Sequence, residues 1–338
     1  GVARLLGALA PRSPLVGLDG PALLGERAAV AGLTRAGRRS AGGSARLLET
    51  ADGTLVVNLP REDDWRLVPA WLESLAEPDG FPNRSETARW DEVARCLRSR
   101  ASLALVERGR MMGLAVAAAP RAPVGHGARF FTRSHESQRE AERPSRPLRL
   151  LDLSTLWAGP LATGLLALAG VEVLKVESPS RPDGAREGPA PFFDLMNGNK
   201  RGRCLDLRAA DGRRDFEALL DSADIVVESA RPRALSQLGY DAGSWLEERP
   251  GRLWVSITGY GRDHEWIAFG DDAAAAAGLA WSPDPADEAP CFCGDALADP
   301  ITGLHAAALV LLHARVGQGG LLDLAMAPLT ARVAAAEH

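Results

Sequence analysis

The residues of this sequence that could do chemistry gather where strands give way to helices. Ser154-Thr-Leu-Trp157-Ala158-Gly159-Pro160 follows an apolar strand pattern and precedes an apolar helical one. A loop at the carboxyl end of a strand that opens a helix presents free backbone N–H groups and a positive dipole end, which suits an anionic ligand. A plain strand-to-helix turn would read the same way. Glu177 closes the next strand, where dinucleotide enzymes keep a ribose-binding acid, but Gly159 and Gly164 are not spaced as G-x-G-x-x-G and Pro160 follows the first glycine. The phosphate-loop and serine-hydrolase signatures are also absent from the sequence. Cys291-Phe-Cys293 is at most half a metal site, so no metal is expected. His305 and His313, eight residues apart on an apolar helical run, share one face and read as core or interface residues.

The elements around these residues set the fold class. Residues 148–153 read as a buried strand, 160–169 as a helix closed by Gly170, and 171–177 as a second strand, which together make a parallel crossover unit. Strands at 203–207, 224–228, 253–257 and 320–325 follow, with helices at 212–222, 272–279 and 302–315. This alternation predicts an α/β fold, a Rossmann-like open parallel sheet with helices on both faces. Upstream, residues 46–59 read as two strands around an Asp52-Gly53 turn, followed by helices at 65–75, 90–97 and 101–108. This is a smaller α+β domain placed N-terminally, over 1–130. Residues 131–147, a run of Ser, Arg, Glu and Pro without apolar period, read as a linker, and 148–338 as the Rossmann-like domain.

Composition narrows the function classes. The 39 basic and 44 acidic side chains are mixed along the chain and leave a net charge of −5, so no nucleic-acid partner is expected. Four scattered cysteines do not form a disulfide framework in 338 residues, which fits a reducing cytoplasm. No run of eighteen apolar residues marks a membrane span, and the first residues lack a secretory signal pattern. Basic residues are almost all arginine, and the two lysines are Lys175 and Lys200.

A string of motifs then carries a resemblance. Leu151-Asp-Leu-Ser-Thr-Leu-Trp157-Ala158-Gly159-Pro160, Leu168-Ala-Gly170-Val-Glu-Val-Leu-Lys175-Val-Glu177, Asp183-Gly-Ala-Arg186, Asn197-Gly-Asn-Lys200-Arg201 and Asp299-Pro-Ile-Thr-Gly303 occur in the order seen in class III coenzyme A transferases, the CaiB/BaiF family. The match runs over nearly all of 148–326. More weakly, residues 48–72 resemble the family's small domain, which normally follows the Rossmann-like half, and the family's closing segment is not evident after Met326.

The resemblance implies an acyl-CoA:carboxylate CoA transferase, a cytoplasmic homodimer whose partners are acyl-CoA and a carboxylic acid. In such enzymes an aspartate attacks the thioester and forms a mixed anhydride, a task for which a carboxylate is ionised near neutral pH and leaves well once acylated. The family places that aspartate after Gly-aromatic at the entry to an Ala-rich helix. Phe269-Gly270-Asp271-Asp272 before five alanines and Gly278 makes Asp272 the expected nucleophile and Asp271 its alternative. A helix N-cap is the plainer reading of either. Related racemases use a His before this Asp, where Asp271 stands here, and a second Asp that Asp299 matches. Trp157, Ala158, Gly159, Pro160, Lys175, Arg186, Asn197, Lys200 and Arg201 are the residues the resemblance gives to coenzyme A. A 2-methylacyl-CoA racemase and a non-catalytic CoA-binding partner subunit are the alternatives.

Overall fold

Alternation of apolar residues about Asp52-Gly53 folds Ala45–Glu49 (β1) and Thr54–Asn58 (β2) into an antiparallel hairpin, to which Ala115–Ala118 (β3) adds antiparallel along β2. The computed structural model of the protein describes residues 1–73, 81–123, 130–135, 145–231, 233–249, 251–282, 284 and 289–336. Its chain divides into two units, one made of Leu33–Ala128, Asp263–Ala298 and Met326–His338, the other of Gly1–Gly32, Arg129–Arg262 and Asp299–Ala325.

In the first unit, one face of the three-stranded sheet presents Leu55 and Val57 to Trp65, Val68 and Trp71 of the helix Glu62–Leu72, to Trp90 and Val93 of Glu86–Leu97, and to Leu105 of Ser102–Met111. The opposite face is built from small residues, Ala45, Ala117 and Ala119 beside Leu47 and Val56, and it packs on Ala275, Ala280 and Phe292. Small side chains let the helical stretch from Gly270 to Leu279 lie close to the sheet. Gly278 has φ +91° and a side chain there would sit 2.6 Å from the Ala122 carbonyl carbon, so the position requires glycine on both counts.

In the second unit, Phe131–Ser134 (β4), Arg149–Leu153 (β5), Glu172–Glu177 (β6), Arg201–Cys204 (β7), Ile225–Glu228 (β8), Leu253–Thr258 (β9) and Gly320–Ala325 (β10) form one sheet in the order β4-β10-β9-β8-β5-β6-β7. All neighbours run parallel except β4, which pairs antiparallel with β10. After the edge strand β4 the chain enters the middle of the sheet at β5, builds outward through β6 and β7, then returns to the other side of β5 with β8. Strand order therefore reverses between β5 and β8, the place where doubly wound sheets open a ligand crevice at the carboxyl ends of their strands. Phe216, Leu220, Trp245 and Leu246 cover one face over Leu151, Val226, Trp254 and Leu321. The helix Ala158–Leu168 packs against β5, β6 and β8, and its first turn touches the helix Ala298–Val316 so closely that a side chain on Gly303 would lie 2.6 Å from the Ala158 carbonyl oxygen.

The α/β reading and the parallel sheet hold, but the expected boundaries do not coincide with these units. Residues Gly1–Gly32 belong to the unit of the parallel sheet, whereas Asp263–Ala298 and Met326–His338 belong to that of the three-stranded one. The stretch 131–147 contains a strand rather than only a linker, because an edge strand needs partners on one side alone and tolerates the polar sequence Phe-Thr-Arg-Ser. Residues 136–144 of it lie outside the described residues.

Candidate active site

At the carboxyl end of β5 a buried charge cluster fixes the turn into the helix Ala158–Leu168. Asp152 is fully buried; one carboxylate oxygen accepts from the Ser154 amide at 3.0 Å, the other from Thr163 Oγ1 at 2.6 Å and Lys200 Nζ at 3.0 Å. Lys200 Nζ also donates to the Pro160 carbonyl (2.9 Å) and Asn197 Oδ1 (2.8 Å), so all three of its protons are committed. Burial pushes the Asp152 carboxyl up, but the charges of Lys200 and Lys175 and the hydroxyls of Ser154 and Thr163 outweigh it and hold the group below its ordinary value. Lys175 donates to the Ser154 carbonyl at 2.7 Å and pairs with Asp183 at 2.9 Å. Asp183 in turn accepts from the amides of Leu156 (2.8 Å) and Ala185 (3.0 Å). Leu156 sits at φ +68°, an uncommon conformation for a side chain of this size, and the Asp183 bond helps hold it there.

Several residues expected to meet coenzyme A have partners within the protein. The Lys175 and Lys200 side chains are 3 % and 1 % exposed, so their ammonium groups face carboxylates of the same unit rather than a phosphate. Asn197 is spent on Lys200 and on the Phe193 carbonyl. Arg186 forms a two-pronged pair with Glu177 (2.7 and 3.0 Å) and lies over the Phe193 ring, leaving half of its side chain exposed. Arg201 is exposed at the start of edge strand β7. Trp157, Ala158, Gly159 and Pro160 are all buried, and a side chain on Gly159 would overlap Ser154. The exposed residues of the turn are Thr155 and Leu156.

In the other unit, Asp271 and Asp272 lie in the first turn of Gly270–Ala274. Asp271, 6 % exposed, accepts from the Ala296 amide at 2.8 Å. Asp272 is 0 % exposed; its Oδ1 accepts from the Phe269 amide (3.0 Å) and from Asn58 Nδ2 (2.8 Å), while Oδ2 has no hydrogen-bond partner among the described residues. Burial pushes the Asp272 carboxyl up to about 7, against the two hydrogen bonds that favour its charge. Asn58, 2 % exposed and 214 residues away in sequence, is a residue that sequence reasoning missed. Its signal is an amide in the apolar run Leu55-Val-Val-Asn58-Leu59, since a buried amide needs a partner.

Asp299 belongs to the unit of the parallel sheet. It is half-buried in the first turn of Ala298–Val316, where a helix terminus favours negative charge. His305 and His313 turn Nδ1 back onto the Ile301 and Leu309 carbonyls of the same helix. Cys291 and Cys293 are exposed free thiols, and among the described residues no three His, Cys, Asp or Glu side chains are grouped to hold a metal ion.

Residues 146–338, more than half of the chain, match the family described as CoA-transferase family III. The chain belongs to that family. It is 31 % identical over 201 residues to the succinyl-CoA–D-citramalate CoA-transferase of Chloroflexus aurantiacus, covering 54 % of this chain and 50 % of that one. It is 30 % identical over 197 residues to a formyl-CoA:oxalate CoA-transferase of Escherichia coli, covering 54 % and 47 %. The chain thus spans about half the length of the curated relatives it matches. Among solved structures, a CAIB/BAIF family protein from Brucella suis superimposes with a TM-score of 0.51 at 29 % identity over 57 % of this chain and 56 % of that one. A hypothetical protein, Rv3272, from Mycobacterium tuberculosis gives 0.50 at 29 % identity over 58 % of each.

Proposed function

We propose that this family III protein transfers coenzyme A from an acyl-CoA to a carboxylic acid, with Asp299 as the attacking carboxylate. A carboxylate oxygen adds to the thioester carbon, the carbon–sulfur bond breaks, coenzyme A leaves as the thiolate, and the acyl group stays on the aspartate as a mixed anhydride. The observation that carries the assignment is accessibility. An attacking oxygen must reach the thioester, and of the three candidate aspartates Asp272 is 0 % exposed and caps its own helix, Asp271 is 6 % exposed and accepts from the Ala296 amide, whereas Asp299 keeps accessible surface at a helix terminus. On this reading Asp299 takes the role that the sequence reading assigned to Asp272. The relatives' names support coenzyme A thioesters as the substrate class. A cytoplasmic homodimer, with residues 33–128 standing for the family's small domain, completes this reading.

Racemisation of an acyl-CoA is the second reading, motivated by Asp272: a carboxyl raised to about 7 is matched to proton transfer at neutral pH, and like thioester attack by Asp272 it requires this buried group to become accessible to the substrate. One experiment separates the two. The protein is incubated with a panel of acyl-CoA donors in deuterated water, trapped with hydroxylamine, and mapped by peptide mass spectrometry. A hydroxamate on Asp299 is expected, and Asp299→Asn should cost on the order of 4 kcal/mol or more of barrier. A hydroxamate on Asp272 would move the nucleophile there. Deuterium at the α-carbon without any acyl-enzyme would favour racemisation, and no turnover of any donor would favour a CoA-binding partner subunit.

A further inference from the structure

On the face of the parallel sheet that carries Val226 and Trp254, the register turns polar at the carboxyl edge. Glu228 of β8, Ser256 of β9 and Asp323 of β10 stand side by side, on one face because paired residues of neighbouring strands point the same way. Arg262, four residues beyond the end of β9, returns over them. Its amide donates to Asp323 Oδ2 at 2.7 Å, and its Nη1 donates to Glu228 Oε1 at 2.8 Å and to Ser256 Oγ at 2.9 Å. The same Glu228 oxygen accepts from Ser256 Oγ at 3.0 Å and Trp254 Nε1 at 3.3 Å. Glu228 is 2 % exposed, its Oε2 has no partner among the described residues, and the Arg262 side chain keeps 26 % of its surface.

Burying a carboxylate at the end of a strand costs several kcal/mol of desolvation, and a well-packed apolar residue would stabilise the strand as well or better. The buried carboxylate here holds one nitrogen of the guanidinium, and the Arg262 side chain, committed through Nη1, keeps about a quarter of its surface. Strand β8 borders β5 where the strand order reverses, so this arginine lies at the edge where doubly wound sheets take their ligands. On the opposite face of the same edge, Lys175 and Lys200 are consumed by Asp152 and Asp183 and bring no charge to a ligand.

We propose that Arg262, seated on Glu228 and Ser256, is an oxyanion-binding residue of the strand-end crevice, taking a phosphate of coenzyme A or the carboxylate of the acceptor acid. The identity of the oxyanion rests on the CoA-transferase reading; the site itself does not. A guanidinium fork suits both groups because two parallel N–H donors match two oxygens.

The test is calorimetry of the full chain with coenzyme A, with pantetheine (the same thiol arm without phosphates), with inorganic pyrophosphate and with succinate. The variants are Arg262→Gln, Arg262→Lys and Arg262→Gln/Glu228→Gln, each checked for fold by circular dichroism. The double variant removes both charges, so a fold that fails from an unpaired Glu228 is kept apart from a lost ligand contact. We expect coenzyme A and pyrophosphate to weaken by about tenfold to a hundredfold in the glutamine variants, with Arg262→Lys in between and pantetheine unchanged. Weakening of succinate alone would assign the acceptor carboxylate. Folded variants that bind coenzyme A, pyrophosphate and succinate like the parent overturn the proposal. A parent that binds pyrophosphate through Arg262 but not coenzyme A would refute the transferase reading and leave the anion site standing.

Discussion

Asp272 shows how one side chain can be tuned by what surrounds it. Its raised value means that the folded chain holds a proton up to about pH 7 that the unfolded chain releases near 4. The stability contributed by the protonated form is therefore complete below pH 4 and is lost as pH rises towards 7, by up to about 4 kcal/mol in total. Asp272→Asn keeps the shape and the acceptor oxygen but cannot ionise, so urea unfolding should become flatter between pH 4 and 7, with the variant more stable than the parent at pH 8. Asn58→Leu removes a donor to the charged form and should push the same transition to higher pH. An unchanged pH profile in both variants would show that Asp272 is not the group responsible. Asp271 and Asp272 were legible as residues that begin a helix, because Asp before an alanine run is a local signal. Asn58 was not tied to them, because a contact across 214 residues leaves no spacing to read.

At the scale of elements, the strand–helix alternation from β5 to β10 was legible because both sheet faces are covered, which makes each strand a short apolar run bounded by turns. The strands that escaped were β3, four residues of Ala and Val with no alternation to see, and β4, whose polar composition follows from its place at an edge. The two lysines were legible as special, but the carboxylates they face were not, since sequence shows a charge but not the charge it faces. Their role makes an element-level prediction. The cluster of Asp152, Lys175, Asp183 and Lys200 ties β5, β6 and the turn at Leu156 together, and removing one member strands the others in a buried site. Lys200→Met should lower the stability in urea by about 3–5 kcal/mol, and adding Asp152→Leu should recover part of the loss by removing the orphaned charge. A Lys200→Met protein as stable as its parent but weaker in coenzyme A binding would return this lysine to the ligand site.

For the whole molecule, the two units interlace along the chain, so neither half of the sequence holds a complete core. A fragment of residues 148–338 keeps β5 to β10 but loses β4 from the edge of β10, and it also loses the N-terminal stretch Gly1–Gly32 of the same unit. Its parts of the other unit, Asp263–Ala298 and Met326–His338, are left without Ala45, Leu47, Val56, Ala117 and Ala119, the surface on which Ala275, Ala280 and Phe292 are buried. Without that sheet the helical stretch after Asp272 keeps only the helix Met326–Ala335 to pack on and leaves its sheet-facing side uncovered, and short helices need such packing to persist in water. Expressed alone, the fragment is therefore expected to be insoluble or to lack near-ultraviolet circular dichroism, although it contains nearly all of the family match. Co-expression with residues 1–135 should restore a soluble species in which both pieces elute together. Cleavage of the folded full chain within residues 136–144 should leave the same associated pair, since each unit draws on both sides of the cut. A 148–338 fragment that is monomeric, soluble and cooperatively folded by itself would show that the parallel sheet is an independent domain and that the interlacing contributes nothing essential to its stability.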